Sequence, residues 1–271
     1  MSEAVIRKIQ ASDLPALRRL WAETFGDPEE LIDAFFRLLP GMGTGLAAVE
    51  AGRVLGAAYA ITGLELFSAE GQKRPFGYLY AVAVDEAARH RGLGRALSRA
   101  CADEAKALGC AFFCTQPAEP SLFDWYGEIL DLRCALRRRQ ERLPAREAAP
   151  SMALSPTDYR FWRRQLLRGK THVRLGDSAL LFQHSLCKSC GGGFYAVGDG
   201  VAAAYRDGET CVVRELLCPP DADRRSLAAS LAAALGAKEA LLCTADPAGA
   251  PYIAAEDGAF PPDCQWNLSF D

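Results

Sequence analysis

Apolar residues recur along this chain in two spacings, and the switches between them lay out its elements. Leu14, Leu17, Leu20, Trp21 and Phe25 stand three and four apart, the spacing of one helix face, with Ser12 and Asp13 ahead of them as candidate caps. Gly26-Asp27-Pro28 breaks this helix. A second one over residues 28–39 carries Leu31, Ile32, Phe35, Phe36 and Leu39 on one side and stops at Pro40-Gly41. Strands are expected over residues 4–9, 46–50 and 54–66, the last two joined by a turn at Ala51-Gly52 and followed by a polar loop over 68–75. Residues 76–84 are apolar and rich in aromatic and branched side chains. A period of two would put Tyr78, Tyr80, Val82 and Val84 on one face of this strand. A polar break, a turn containing Gly92 and Gly94, and a helix over 96–108 come next. An apolar strand over 110–116, a turn at 117–120, a short helix from Ser121 and an arginine-rich strand over 132–143 complete a first unit.

Residues 144–150, rich in Ala, Glu and Pro, read as a linker, which divides the chain into units 1–146 and 151–271. The second begins with a helix over 156–167. Strands are expected over 178–183, 193–197, 201–205, 210–217 and 238–244, a helix over 226–235, and a last strand over 264–270. The strand-helix-strand order around 210–244 repeats that around 76–116. Two readings stand: a second copy of the first unit, or an unrelated α+β cap.

The turn after residue 84 carries the chemistry. A strand, a loop Arg89-His90-Arg91-Gly92-Leu93-Gly94-Arg95 and a helix start together make an anion site, because the first N–H groups of a helix are unpaired and its dipole favours negative charge there. Gly92 and Gly94 present no Cβ to an approaching phosphate, and Arg89, Arg91, Arg95 and Arg99 add charge. The glycine spacing fits neither a P-loop nor a dinucleotide fingerprint. In the second unit the matching place reads Cys218-Pro-Pro-Asp-Ala-Asp-Arg224, without glycine, with prolines that lack N–H groups and with two acidic residues. If it is a copy, it has lost this site.

Arg89-x-x-Gly92-x-Gly94 behind a strand ending Ala83-Val84 resembles motif A of the GNAT acyltransferase superfamily, and Leu122-Phe-Asp-Trp-Tyr126 resembles its motif B. The resemblance implies a mixed α+β sheet with splayed central strands, acetyl-CoA as cosubstrate, and transfer of its acetyl group to a primary amine. By it the pyrophosphate would lie on Arg89, His90, Arg91, Gly92, Leu93, Gly94 and Arg95. Backbone N–H groups of Val82, Ala83 and Val84 would face the thioester, and Tyr126 would protonate the leaving thiolate. Here Tyr126 is followed by Gly-Glu-Ile-Leu-Asp rather than the family's x-x-x-Gly-Phe, a departure in the turn behind the tyrosine. The general base stays open among Glu65, Asp124, a water relay and the C-terminal carboxylate of Asp271. Asp85 and Glu86 fit a strand exit better, His90 a loop or phosphate contact, and His172 and His184 are remote in sequence. A different class of reading, an acyl-CoA-binding sensor without catalysis, remains beside the enzyme.

Composition narrows the partners. A formal net charge of -3 over 271 residues argues against a nucleic acid held by bulk electrostatics, and leaves a small-molecule amine as the expected acceptor. No 18-residue apolar run suggests a membrane span and the N-terminus lacks a signal-peptide pattern, so the cytosol is the expectation. The 10 cysteines read mostly as reduced core residues. Cys187-Lys-Ser-Cys190, with His184 upstream, lacks the second ligand pair of a zinc site and the helix-opening context of a redox pair, so no metal is expected. Oligomeric state and the identity of the amine have no readable code.

Overall fold

Residues 4–147 and 150–270, described by a computed structural model, join in one mixed α+β sheet. Its strands are β1 (Val5–Lys8), β2 (Gly43–Glu50), β3 (Arg53–Phe67), β4 (Lys73–Val84), β5 (Phe113–Thr115), β6 (Arg133–Pro144) and β7 (Ser151–Leu154), then β8 (His172–Leu175), β9 (Gly193–Val197), β10 (Gly200–Asp207), β11 (Thr210–Leu217), β12 (Glu239–Ala245) and β13 (Ala250–Ala255). The helices are α1 (Leu14–Phe25), α2 (Glu29–Leu38), α3 (Leu93–Ala107), α4 (Ser121–Leu130), α5 (Pro156–Leu166), α6 (Asp177–Ser189) and α7 (Arg224–Ala234).

Along the sheet the order is β1-β2-β3-β4-β5-β13-β6-β12-β11-β10-β9-β7, with β8 paired to the far end of β3. Neighbours run antiparallel except β4 with β5 and β11 with β12. Each parallel pair is spanned by a crossover helix, α3 in the first case and α7 in the second, as parallel pairing demands. The strand latest in sequence, β13, is inserted between β5 and β6.

The two faces of β4 are covered differently. Leu93, Leu97, Cys101 and Ala105 of α3 pack with Leu55, Leu79 and Phe113 on one face. On the other, Leu17 and Trp21 of α1, Phe35 of α2, Phe182 of α6 and the tail residues Trp266 and Phe270 pack with Tyr59 and Tyr78. A third cluster fixes α7 to β11 and β12 through Leu231, Val213 and Leu242. α5 is tied to β11 by a buried ion pair: Arg163 Nε and a second guanidinium nitrogen donate to Glu215 at 2.7 and 3.1 Å, and the Tyr159 hydroxyl donates to the same carboxylate at 2.7 Å. The remaining Arg163 nitrogen donates to the Val173 carbonyl at 2.9 Å, so the buried guanidinium is fully engaged.

Four sequence expectations are corrected. Residues 178–183 are not a strand but the first half of α6. Its buried positions, Ala179, Leu180, Phe182, Gln183 and Cys187, keep helical spacing once Cys187 is included. Residues 264–270 form a single bridge, Gln265 with His172, and no strand, because the carbonyls of Trp266, Ser269 and Phe270 are taken by side chains rather than by a ladder. Asp13 does not cap α1, since its carboxylate is held by Arg7 and by the Gln10 N–H at 2.7 Å. Finally, Tyr78 and Tyr80 do not share a face with Val82 and Val84. The tyrosines pack with the α1–α2 side and the valines with the α3 side. The cause is a bulge: Tyr80 pairs with Tyr59 and Ala83 with Ala57, so β4 spends one more residue than β3 between the two pairs.

Candidate active site

The bulge organises the centre of the molecule. Ala81 sits at φ +49°, a left-handed conformation that a side chain disfavours. Neither Ala81 nor Val82 has a pairing partner on β3, and β4 pairs with β5 only from Gly77 to Leu79. From Tyr80 on, the two parallel strands part, and a cleft opens between them.

A cavity of about 610 Å³ lies at this opening. Ala81, Val82 and Tyr126 line it together, with Trp21, Tyr80 and Phe270 as aromatic wall. The Tyr80 ring sits between Trp21 and Phe270, at centroid distances of 5.8 and 5.5 Å. Tyr126 projects from α4; burial pushes its phenol up to about 12, partly offset by a hydrogen bond to Thr115. The phenol therefore keeps its proton throughout the neutral range.

A separate hollow of about 320 Å³ surrounds the start of α3 and is lined by Val84, Arg89, His90, Gly92, Gly94 and Trp125, among others. His90 and Gly92 bend the loop with φ of +62° and +76°. Among the described residues no N–H from His90 to Arg95 has a partner within the chain, whereas Arg89 N–H donates to Glu86 and Ala96 N–H to Gly92. A Cβ on Gly94 would meet only Trp125 and Val84, at 3.9 Å, so the fold does not require glycine there. The arginines are not all available. Arg91 pairs with Glu50 at 2.6 Å and holds that carboxyl below its usual range, and Arg95 pairs with Glu128. Among the described residues, Arg89 and Arg99 reach the carbonyls of Val84 and Ile129 and no carboxylate.

Trp125 and Tyr126, neighbours on α4 with ring centroids 4.8 Å apart, belong one to the hollow and the other to the cavity. The sequence-predicted residues thus fall into two adjoining spaces. Val82 and Tyr126 line the cavity; Val84, Arg89, His90, Gly92, Leu93, Gly94 and Arg95 line the hollow. Ala83 is buried against the opposite face, and exposed Arg91 lines neither.

The candidate bases lie elsewhere. Glu65 faces Arg174 on β8, Asp85 is held by Arg53 at 2.7 Å, and Asp124 is exposed on α4. His172 stacks on Phe67 and His184 lies beside Phe194. Asp271 is outside the described residues. The carboxylate that does line the cavity is Asp27, held by Trp21 Nε1–H at 2.7 Å. In the sequence it reads only as part of a helix break. The pairing of a helix-face tryptophan with an acid six residues on is a weak signal, legible once the wall is known.

Among the described residues no three of His, Cys, Asp and Glu gather as a metal site, and no helix is long and apolar enough to cross a membrane. Cys187 is buried and Cys190 exposed at the C-terminal end of α6, both as free thiols.

Residues 9–127 match the acetyltransferase (GNAT) family. Solved structures extend the likeness over the rest. A GCN5-related N-acetyltransferase from Kribbella flavida is 16% identical with a TM-score of 0.67, over 93% of this chain and 71% of that one. A probable N-acyltransferase from Enterococcus faecalis V583 gives 12% and 0.68 over 93% and 72%. A putative acetyltransferase from Pyrococcus horikoshii gives 12% and 0.61 over 100% and 97%. At such identities these matches establish the fold. No curated protein sequence matches the chain.

Proposed function

We propose that the protein is an N-acetyltransferase that moves the acetyl group of acetyl-CoA to a primary amine of a small molecule, by direct attack with both substrates bound. The observation that carries this reading is the placement of Tyr126 and the unpaired bulge of β4 in one cavity, beside a hollow of free N–H groups at the start of α3. A pyrophosphate fits that hollow because the donors are unpaired and Gly94 leaves the approach clear. Acetyl-CoA supplies a thioester carbonyl, which would lie between the bulge and the Tyr126 hydroxyl.

The neutral amine attacks the carbonyl carbon, forming the N–C bond; the C–S bond then breaks. Backbone N–H groups at Ala81 and Val82, where the register of β4 on β3 breaks, are suited to the oxyanion. Tyr126 gives its proton to the departing thiolate and regains one, through water, from the acylated nitrogen, which sheds a proton as the amide forms. The amine must first lose a proton, and Asp27 is the carboxylate positioned to take it, directly or through water. Asp27 and the aromatic wall of Trp21, Tyr80 and Phe270 also favour an acceptor that arrives as an ammonium ion.

The second half is best read as a GNAT-like copy in a unit of residues 151–271. Its β11, α7 and β12 repeat the parallel crossover of β4, α3 and β5, and β11 carries its own register shift opposite Ala203/Ala204. Asp223 caps α7 by accepting from the Arg225 and Ser226 N–H groups, which occupies the donors an anion would need.

The test is calorimetric titration of acetyl-CoA into the parent and an Arg89→Ala/Gly94→Asp double variant, followed by turnover with an amine panel. Binding abolished in the variant, with turnover in the parent, supports the reading. Binding without turnover of any amine returns the sensor, and no binding by the parent removes the CoA site altogether.

A further inference from the structure

The acceptor cavity has one wall made by residues from the far end of the chain, and these are fixed by a polar relay rather than by packing alone. The Ser269 carbonyl accepts from Arg214 of β11 and from Gln183 Nε2 of α6, the latter at 3.2 Å, and Arg214 also donates to Gln183 Oε1 at 3.2 Å. The Ser269 hydroxyl donates to Gln116 Oε1. Next to it, the Gln116 N–H donates to the Tyr78 hydroxyl at 3.2 Å, and that hydroxyl donates to the Phe270 carbonyl at 2.6 Å. Ser269 and Gln183 are fully buried, so the bonds among Ser269, Gln183 and Arg214 are made in surroundings where no water competes.

The relay ends on Gln116. Its Oε1 is occupied by Ser269 and its main-chain N–H by Tyr78, and its Nε2 amide has no partner among the described residues. Gln116 lines the acceptor cavity, and it also lines a neighbouring hollow of about 700 Å³ along β6 and β13, standing where the two meet. A carboxamide whose oxygen is held from behind must turn its NH₂ the other way, towards these open spaces.

We infer that Gln116 is a specificity-determining residue. Its Nε2 donates to an oxygen of the acceptor, a hydroxyl or carbonyl close to the amine, and the second half of the chain, through Gln183, Arg214 and Ser269, sets that donor's direction. The acceptor class is therefore an oxygen-bearing amine, such as an amino alcohol or an amino-acid amide, rather than a plain alkylamine. This rests on the acetyl-transfer reading of the same cavity. A donor left facing an alkyl group loses its hydrogen bond to water without replacement, which is the basis of discrimination.

The experiment compares a matched pair of primary amines, an amino alcohol and the alkylamine lacking its hydroxyl, in the parent, Gln116→Leu and Ser269→Ala. The parent is expected to favour the amino alcohol by roughly tenfold in kcat/KM. Gln116→Leu should bring the ratio close to unity through the amino alcohol's KM, with the KM for acetyl-CoA unchanged. Ser269→Ala, a milder change, should give an intermediate ratio. A ratio preserved in Gln116→Leu, or an acetyl-CoA KM that rises in step, overturns the inference. Should the parent bind acetyl-CoA but turn over neither amine, calorimetric binding of the same two amines to the CoA-loaded proteins decides the role of Gln116 apart from transfer. A preference lost in Gln116→Leu upholds it; equal binding of both amines, or binding of neither, overturns it.

Discussion

The Tyr78 hydroxyl donates to the Phe270 carbonyl at 2.6 Å, joining β4 to a residue 192 positions later. The same hydroxyl accepts from the Gln116 N–H, so one buried oxygen serves two main-chain groups. Tyr78→Phe keeps the ring and strands both partners. We expect it to lower stability by about 1–3 kcal/mol, read as a shift of the urea midpoint at unchanged slope. Phe270 should also loosen against the cavity, raising the acceptor KM.

Gly92 and Gly94 separate the demands of fold and ligand. Gly92 has φ +76°, so Gly92→Ala should cost about 1 kcal/mol in thermal or urea unfolding. Gly94 lies in the first turn of α3 with free space beside it, so Gly94→Ala should be neutral or slightly stabilising. Calorimetry with acetyl-CoA should show the reverse emphasis for Gly94→Ala, a clear loss of affinity in a protein as stable as the parent. An unchanged affinity would mean that no phosphate approaches Gly94.

Tyr126→Phe tests the proton donor. It should lower kcat by roughly a hundredfold or more while leaving acetyl-CoA affinity intact, since the hydroxyl is asked to act only as the thiolate departs. With the phenol pushed up to about 12, the parent's rate should not fall on the alkaline side until well above pH 10. A descending limb near pH 8 would assign the acid to another group.

Asp27→Asn keeps the hydrogen bond from Trp21 within reach and removes the charge facing the cavity. The acceptor KM should rise by about tenfold and kcat should fall as well, with acetyl-CoA binding unaffected. Equal kinetics in parent and variant would leave the aromatic wall alone responsible for the amine.

Alkaline stability follows from the buried thiols. Burial pushes Cys187 up to about 11 and Cys211 and Cys264 up to about 12, from an ordinary value near 9. Their folded values lie above their unfolded ones, so the stability they confer is whole below pH 9 and drains away as pH rises towards 12. Each thiol can contribute up to about 1.4 kcal/mol per pH unit in that window. Urea midpoints under reducing conditions at pH 8 and pH 10.5 should differ accordingly, and Cys211→Ala should reduce the difference.

What could be seen in the sequence was local. The spacing of Leu17, Leu20 and Trp21 is sufficient for α1, and Arg89 to Gly94 with Tyr126 lie in stretches whose own residues dictate strand, turn and helix. What escaped depends on distant partners. The bulge at Ala81 is visible only against β3, and it reverses the facing that a simple alternation gives to Val82 and Val84. Residues 264–270 have the composition of a strand, yet the ladder they would join is already filled by β13, whose run of Ala and Pro carries a weak strand signal. Gln116 and Ser269 are 153 positions apart, and neither belongs to a motif.

The position of β13 has a consequence for synthesis. A strand from residues 250–255 closes the gap between β5 and β6, so residues 5–144 leave the ribosome with an unfilled slot in the middle of their sheet. Two strand edges, rather than one, then wait for a segment more than a hundred residues away, which makes this closure slow and leaves the nascent chain open to wrong pairings. The cavity wall formed by Phe270 is made after that, so the cavity is complete only once the segment behind β13 has been made.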